Sequence, residues 1–219
     1  MSGFIIKDIL VMKNTLRYYL FLMAVYGLLA VMGVFPYSII AGFIVLVGMM
    51  TPISTFAYDE QARWDKYAAA TPAGRRGVVK SKYAFTLLLL AVASLFTLVI
   101  LEALWFLGKE DIGSWAEPLM VVGVMNCISL LIASVTLPVM FKYGSEKSRV
   151  ISMVICVGVF GSVALLAFLA EKGINFSAMG AAISSLSPWV IAAALLLVTV
   201  AVTLLSYRIS LRIYTKREL

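Results

Sequence analysis

Residues 18–58 read YYLFLMAVYGLLAVMGVFPYSIIAGFIVLVGMMTPISTFAY, with Arg17 before them, Asp59 after them and no charge between. A helix crosses the hydrocarbon of a bilayer with about 20 apolar residues, so this stretch holds two crossings. Phe35-Pro36-Tyr37 divides it, because proline cannot continue a helix interior. The spacing predicts spans at 18–35 and 38–57. Further along, apolar runs predict spans at 83–107, 118–141 and 150–170. A last uncharged stretch, from Gly173 to Tyr207, is too long for one span. Its helix is placed at 188–207, since Pro188 suits a first helical turn. That makes six spans. The first is full length and no small-residue cleavage site follows it, so it is read as a span and not as a cleaved signal peptide.

Composition agrees. The 219 residues are 63% hydrophobic and 13% charged, against roughly 45–50% and about 25% in a soluble domain, and mean hydropathy is +1.02. A water-soluble globule is excluded. The expected fold class is an all-α integral membrane protein forming a single domain over 1–219. The halves show no internal repeat, which argues against a secondary carrier built from inverted repeats.

The net charge is +7, and its location explains it. Sixteen of the eighteen basic residues fall before the first span, in the 58–82 and 142–149 loops, or in the tail; only Lys109 and Lys172 fall on the other side. The positive-inside rule then puts both termini in the cytoplasm. The charge reads as a topology signal for a bacterial cytoplasmic membrane, with no nucleic-acid partner.

Three segments outside the spans carry information. In residues 1–15, Ile5, Ile9, Met12 and Leu16 share a helical face opposite Lys7 and Asn14, so an amphipathic helix lying in the membrane interface is expected. In the loop after span two, Tyr58-Asp59-Glu60-Gln61-Ala62-Arg63-Trp64-Asp65-Lys66-Tyr67 reads as a short helix. Asp59 is its expected N-cap, Glu60 suits its first turn, and Asp59–Arg63 is an acid-before-base pair at i,i+4. Thr71-Pro72 ends it and starts a second helix that runs into span three. Trp64 and Tyr67 lie on one side, either as interfacial aromatics among headgroups or as anchors in a pocket of a cytoplasmic partner. The third segment, 173–187, is too apolar for a plain loop and too short to span, so an interfacial or re-entrant helix is expected there.

Chemistry is sparse. The chain has no His, which excludes triads and imidazole metal sites. Cys127 and Cys156 lie in apolar runs, arguing against disulfides and thiolate metal sites. No H-E-x-x-H and no G-x-x-x-x-G-K-[ST] occurs, so no catalytic, metal or cofactor residue is assigned and no ATP site is expected. Glu102 is the sole ionisable residue inside a span, a functional candidate by default unless it reaches the outer headgroups. Asn126, Ser129, Ser134 and Thr136 in span four, with Ser152 and Ser162 in span five, suit bonds between helices. Glu102 and Asn126 are candidates for a substrate path. Pro52 and Pro138 are expected to kink their helices.

The layout resembles a known family. The N-terminal amphipathic helix, six spans, the Tyr-Asp-Glu-x-x-x-Trp-Asp-Lys-Tyr segment at 58–67 and Thr71-Pro72-x-x-Arg75-Arg76-x-x-Val79-x-Ser81-Lys82-Tyr83 resemble the permease subunits of ABC-2-type transporters. Among these the chain is most similar to permeases of bacterial exporters of phenol-soluble modulins and related amphipathic peptides. The resemblance implies that Tyr58–Tyr67 form a coupling helix on a separate ATPase subunit, which binds the ATP and Mg. It also implies two ATPase copies, a second permease subunit (a copy of this chain or a paralogue), and re-entrant helices at 173–187. Other readings of the residues are an ion-coupled secondary carrier using Glu102, and a non-transporting immunity or adaptor protein.

Overall fold

The computed structural model describes residues 2–33, 37–71, 74–106, 116–171 and 187–216. Among them the chain is all helix: α1 (Ser2–Val11), α2 (Lys13–Val31), α3 (Tyr37–Gln61), α4 (Trp64–Ala69), α5 (Gly74–Phe106), α6 (Ala116–Glu171) and α7 (Pro188–Lys216). Five helical stretches of the described residues, in α2, α3, α5, α6 and α7, are long and apolar enough to cross a membrane. The segment 173–187, expected to be re-entrant, lies outside the described residues up to Ser187.

The spans are longer at the basic end than hydropathy predicts. Helix α5 runs unbroken from Gly74 to Phe106, as expected of a second helix that runs into span three, and α7 continues to Lys216. Both carry an apolar stripe past the hydrocarbon limit: Val78, Val79 and Tyr83 of α5 join Tyr214 of α7 in one buried cluster. Tertiary packing, not span length, sets these ends.

The expected 142–149 loop does not exist as a loop. Helix α6 is interrupted at one residue, Gly144, with φ 80° and ψ −179°. The neighbours of α6 give its path. Ser129 donates to the Ile44 carbonyl, Phe141 stacks edge-on against Phe56, and Ser145 meets Glu60, so the first limb runs parallel to α3. Met153 then lies in a cavity with Met49, Met50 and Ile53, back along α3, so the second limb doubles back. Glycine is needed at the turn because a positive φ is costly with a Cβ. Helix α6 thus covers the residues of both predicted spans, four and five, and its stretch long and apolar enough to cross a membrane among the described residues is Glu117–Ser148. Pro52 and Pro138 both lie inside continuous helical stretches.

Two close approaches tie the bundle. A Cβ on Gly48 of α3 would collide with Ser129 of α6 and come within 3.2 Å of Leu90, the small-residue contact by which membrane helices approach. On α5, the Tyr83 hydroxyl lies 2.6 Å from Ser206 Oγ and 2.8 Å from Ser210 Oγ of α7. The Ser206 hydroxyl donates to the Ser134 carbonyl of α6, and Ser134 Oγ lies 3.0 Å from Thr203 Oγ1. These hydroxyls satisfy one another between helices, where lipid offers no partner.

Candidate functional site

All the basic segments converge on one end of the bundle, where α1, the end of α3, α4, the start of α5, the α6 turn and the end of α7 meet. At its centre is a four-charge network. The Lys82 ammonium of α5 lies 2.6 Å from Asp59 Oδ2 and 3.1 Å from Asp8 Oδ1. Lys7 lies 2.8 Å from the same Asp8 oxygen and also pairs with Asp59. Lys82 and Asp8 are 3% and 2% exposed. The two cations and two carboxylates are neutral as a set, and Lys82 also donates to the Thr55 carbonyl at 3.4 Å. Buried charges persist only when paired and hydrogen-bonded in this way.

This corrects the reading of Asp59 and Glu60. Both belong to the last turn of α3, not to the start of a separate helix, and Asp59 pairs with Lys7 and Lys82, not with Arg63. Acids in a last turn oppose the helix dipole. Each is offset by a tertiary partner: Asp59 by two ammonium groups, and Glu60 by Ser145, which donates its backbone N–H at 2.7 Å and its hydroxyl. Ser145 begins the second limb of α6, where a carboxylate complements the dipole. A Cβ on Gly144 would lie 2.5 Å from Glu60 Oε1, so the glycine also makes room for the clasp.

The short helix is shorter than expected. Arg63 turns the chain in the left-handed region at φ 50°, and α4 starts at Trp64 with no side-chain cap. Thr71 Oγ1 donates to the Ala68 carbonyl at 2.7 Å, at the far end of α4. Trp64 and Tyr67 both lie on α4, but their roles divide. Trp64 is half-buried, edge-on to Phe4 of α1 and 4.9 Å beneath the Lys7 ammonium. Tyr67 is 68% exposed. The side chains of Asp65 and Lys66 lie outside the described residues. Tyr58, on the exposed side of α3, has its hydroxyl 3.3 Å from Thr15 Oγ1.

Helix α1 is rotated in part from its expected face. Phe4 and Asp8 of α1 and Met12 just after it, at i, i+4 and i+8, face inward; of the expected face Ile5, Met12 and Leu16 pack in one cluster, while Ile6, Leu10 and Val11 are exposed. Asp8 is not among the residues the sequence singles out, although its spacing with Phe4 and Met12 marks it as inward. Lys82 was weighed as a loop charge, although it lies in the buried stripe Val78-Val79-Lys82-Tyr83-Thr86. Arg75 was counted only as a loop charge, yet it donates to the Thr215 carbonyl at 2.8 Å, satisfying the C-terminal end of α7.

Beside this station, α3 and Met153 of the second limb of α6 line an open cavity of about 480 Å³, with Met49, Met50, Ile53, Ser54 and Tyr58 among its walls. The two polar candidates of the spans lie elsewhere. Glu102 is half-buried near the far end of α5, about 30 Å by helical rise from Lys82. Asn126 donates to the Val122 carbonyl of its own helix at 2.9 Å. Among the described residues no group of His, Cys, Asp and Glu suits a metal.

A family model for ABC-2 family transporter proteins matches residues 3–215. No curated protein and no solved structure matches the chain.

Proposed function

The chain belongs to the ABC-2 family of transporter membrane proteins, multi-pass components that work with an ABC ATPase subunit, and from that premise we propose that it is the permease subunit of an ATP-driven exporter. Two permeases, copies or paralogues, form one pathway in a bacterial cytoplasmic membrane, with both termini cytoplasmic and two ATPase subunits below. ATP and Mg are bound by those partners, whose closure supplies the force. The cargo is an amphipathic or hydrophobic peptide or drug, because flexible, polarisable Met side chains adapt to varied apolar surfaces and Met49, Met50 and Met153 line the cavity beside the coupling end.

The observation that carries this reading is the connection of α4 to everything around it. Residues Ala62 and Arg63 join α4 to α3. The Lys7–Asp8–Asp59–Lys82 network ties the end of α3 to α1 and α5, and the Glu60–Ser145 clasp ties it to α6. Force on α4 is therefore shared by four helices at once. A motor that binds α4 differently in two bundle arrangements shifts the population between them by that difference in binding energy. Within Tyr58–Tyr67, the exposed Tyr67 presents the docking surface, and Tyr58, Arg63, Asp65 and Lys66 belong to the same coupling segment. Trp64, Asp59 and Glu60 hold the helix in place.

Co-purification of the native complex with cross-linking from Tyr67→Cys tests this. An ATPase subunit captured by that cysteine is the expected result. Tyr67→Ala is expected to lower transport at least tenfold with little change in melting temperature, since it removes only an exposed ring tilted against Trp64. A native particle containing no ATPase, with full transport by Tyr67→Ala, would overturn the reading. Transport lost on Glu102→Gln and on collapse of the proton gradient would instead identify an ion-coupled carrier, and ATP-independent protection by the chain alone an immunity protein.

A further inference from the structure

On the face formed by α1, α2, α3 and α5, a groove of about 250 Å³ opens to the outside of the bundle. Its walls include Ile9, Leu20, Met23, Val47, Leu89 and Phe96, hydrocarbon and aromatic side chains throughout. Along α5 it runs from Leu88 to Phe96, about 12 Å by helical rise, enough for roughly half of an acyl chain. Two exposed cations stand on α2 next to its wall residues. Lys13 and Arg17 are four residues apart on α2, and Leu16 and Leu20 follow each of them by three residues into the groove. Lys13 thus lies one turn before the first wall residue of α2, and Arg17 sits between the wall residues Leu16 and Tyr19 on the exposed side of the helix, toward the basic end of the bundle.

We propose that this groove is a binding site for one anionic phospholipid of the leaflet at the basic end, its acyl chain against α2 and α5 and its phosphate between Lys13 and Arg17. Charge decides the occupant. Of the described acids near this end, Asp8 and Asp59 are buried and paired with Lys7 and Lys82, Glu60 accepts from Ser145, Glu146 lies on the second limb of α6, and neither α2 nor the 88–96 stretch of α5 contains an acid. The two cations are therefore uncompensated and attract an anion. A second copy of this chain is disfavoured by the same charges, because a two-fold contact brings identical patches together and would oppose Lys13 and Arg17 to themselves. A phosphate has the complementary sign and a hydrocarbon chain the complementary shape. Helix α1 forms one edge through Ile9, so the bound lipid would brace the helix that carries Lys7 and Asp8. The inference needs only that the chain lies in a bilayer and does not depend on the cargo or the ATPase.

Native mass spectrometry of the purified permease, titrated with phosphatidylglycerol and separately with phosphatidylcholine, tests it. Wild type is expected to retain one phosphatidylglycerol in preference to phosphatidylcholine. A basic side chain near an anionic surface is worth roughly fivefold in affinity, so Lys13→Gln with Arg17→Gln is expected to weaken phosphatidylglycerol by at least about tenfold and to leave phosphatidylcholine unchanged. Leu88→Trp, at an exposed position that accepts a larger side chain, is expected to reduce both lipids by filling the groove. An unchanged headgroup preference in the double variant overturns the proposal. So does undiminished lipid retention by Leu88→Trp, or efficient disulfide cross-linking of Leu20→Cys to a second copy.

Discussion

Lys82 places an ammonium group where a sequence reading expects only a loop charge, and its environment makes it costly to alter. Losing one partner of a buried charge set leaves the others uncompensated, typically about 3–5 kcal/mol of destabilisation. Lys82→Met is therefore expected to lower the melting temperature of the purified permease sharply, leaving Asp8 and Asp59 with Lys7 alone. Adding Asp8→Asn removes the excess negative charge and is expected to recover part of the loss. Thermal melts of the two variants decide, and a strictly additive double variant would mean that the charges are not coupled. Trp64→Ala belongs to the same station. It removes the edge contact with Phe4 and the ring beneath Lys7, so it is expected to cost about 1–3 kcal/mol of stability, whereas Tyr67→Ala, which removes only an exposed ring tilted against Trp64, is expected to cost less.

At the level of elements, the α6 turn concentrates two requirements in one glycine. Gly144→Ala is expected to destabilise the fold by roughly 1–3 kcal/mol, from the positive φ and from the carboxylate in the way. Glu60→Ala added to it relieves the collision but not the backbone strain, so only partial rescue is expected in the melting curve. Full rescue would show that strain at Gly144 contributes nothing. The other end of the same logic is α7. Its last carbonyls are served by Arg75 from α5, so Arg75→Gln is expected to increase amide hydrogen exchange over 212–216 while leaving the centre of α7 protected. Unchanged exchange there would remove the capping role.

For the molecule as a whole, the ties among α1, α3, α5 and α6 predict that α1 participates in transmission without touching the motor. Phe4→Ala with Asp8→Asn loosens α1 but leaves Tyr67 and the outer face of α4 intact. The variant complex is expected to keep its ATPase subunits and its nucleotide hydrolysis while transport falls several-fold. Equal loss of both activities would instead assign α1 to assembly.

Hydropathy and the distribution of Lys and Arg were sufficient for the membrane class and for bringing the basic segments to one end, because burial of apolar helices in lipid depends on local runs of residues. Tyr58–Tyr67 was legible as a structured element because its aromatic and charged residues interrupt an otherwise apolar chain. Its internal arrangement was not. Local rules make Asp59 a helix cap and pair it with Arg63, yet in the structure Asp59 ends α3 and meets Lys7 and Lys82, fifty-two and twenty-three residues away in sequence. The α6 turn was likewise hidden, since a one-residue reversal becomes tolerable only with Glu60 beside Ser145. The sequence alone determined the all-helical, multi-span membrane class. Only the tertiary structure decided which charges neutralise one another, because the cost of burying a charge is set by what lies within a few ångströms of it, and those neighbours come from distant helices.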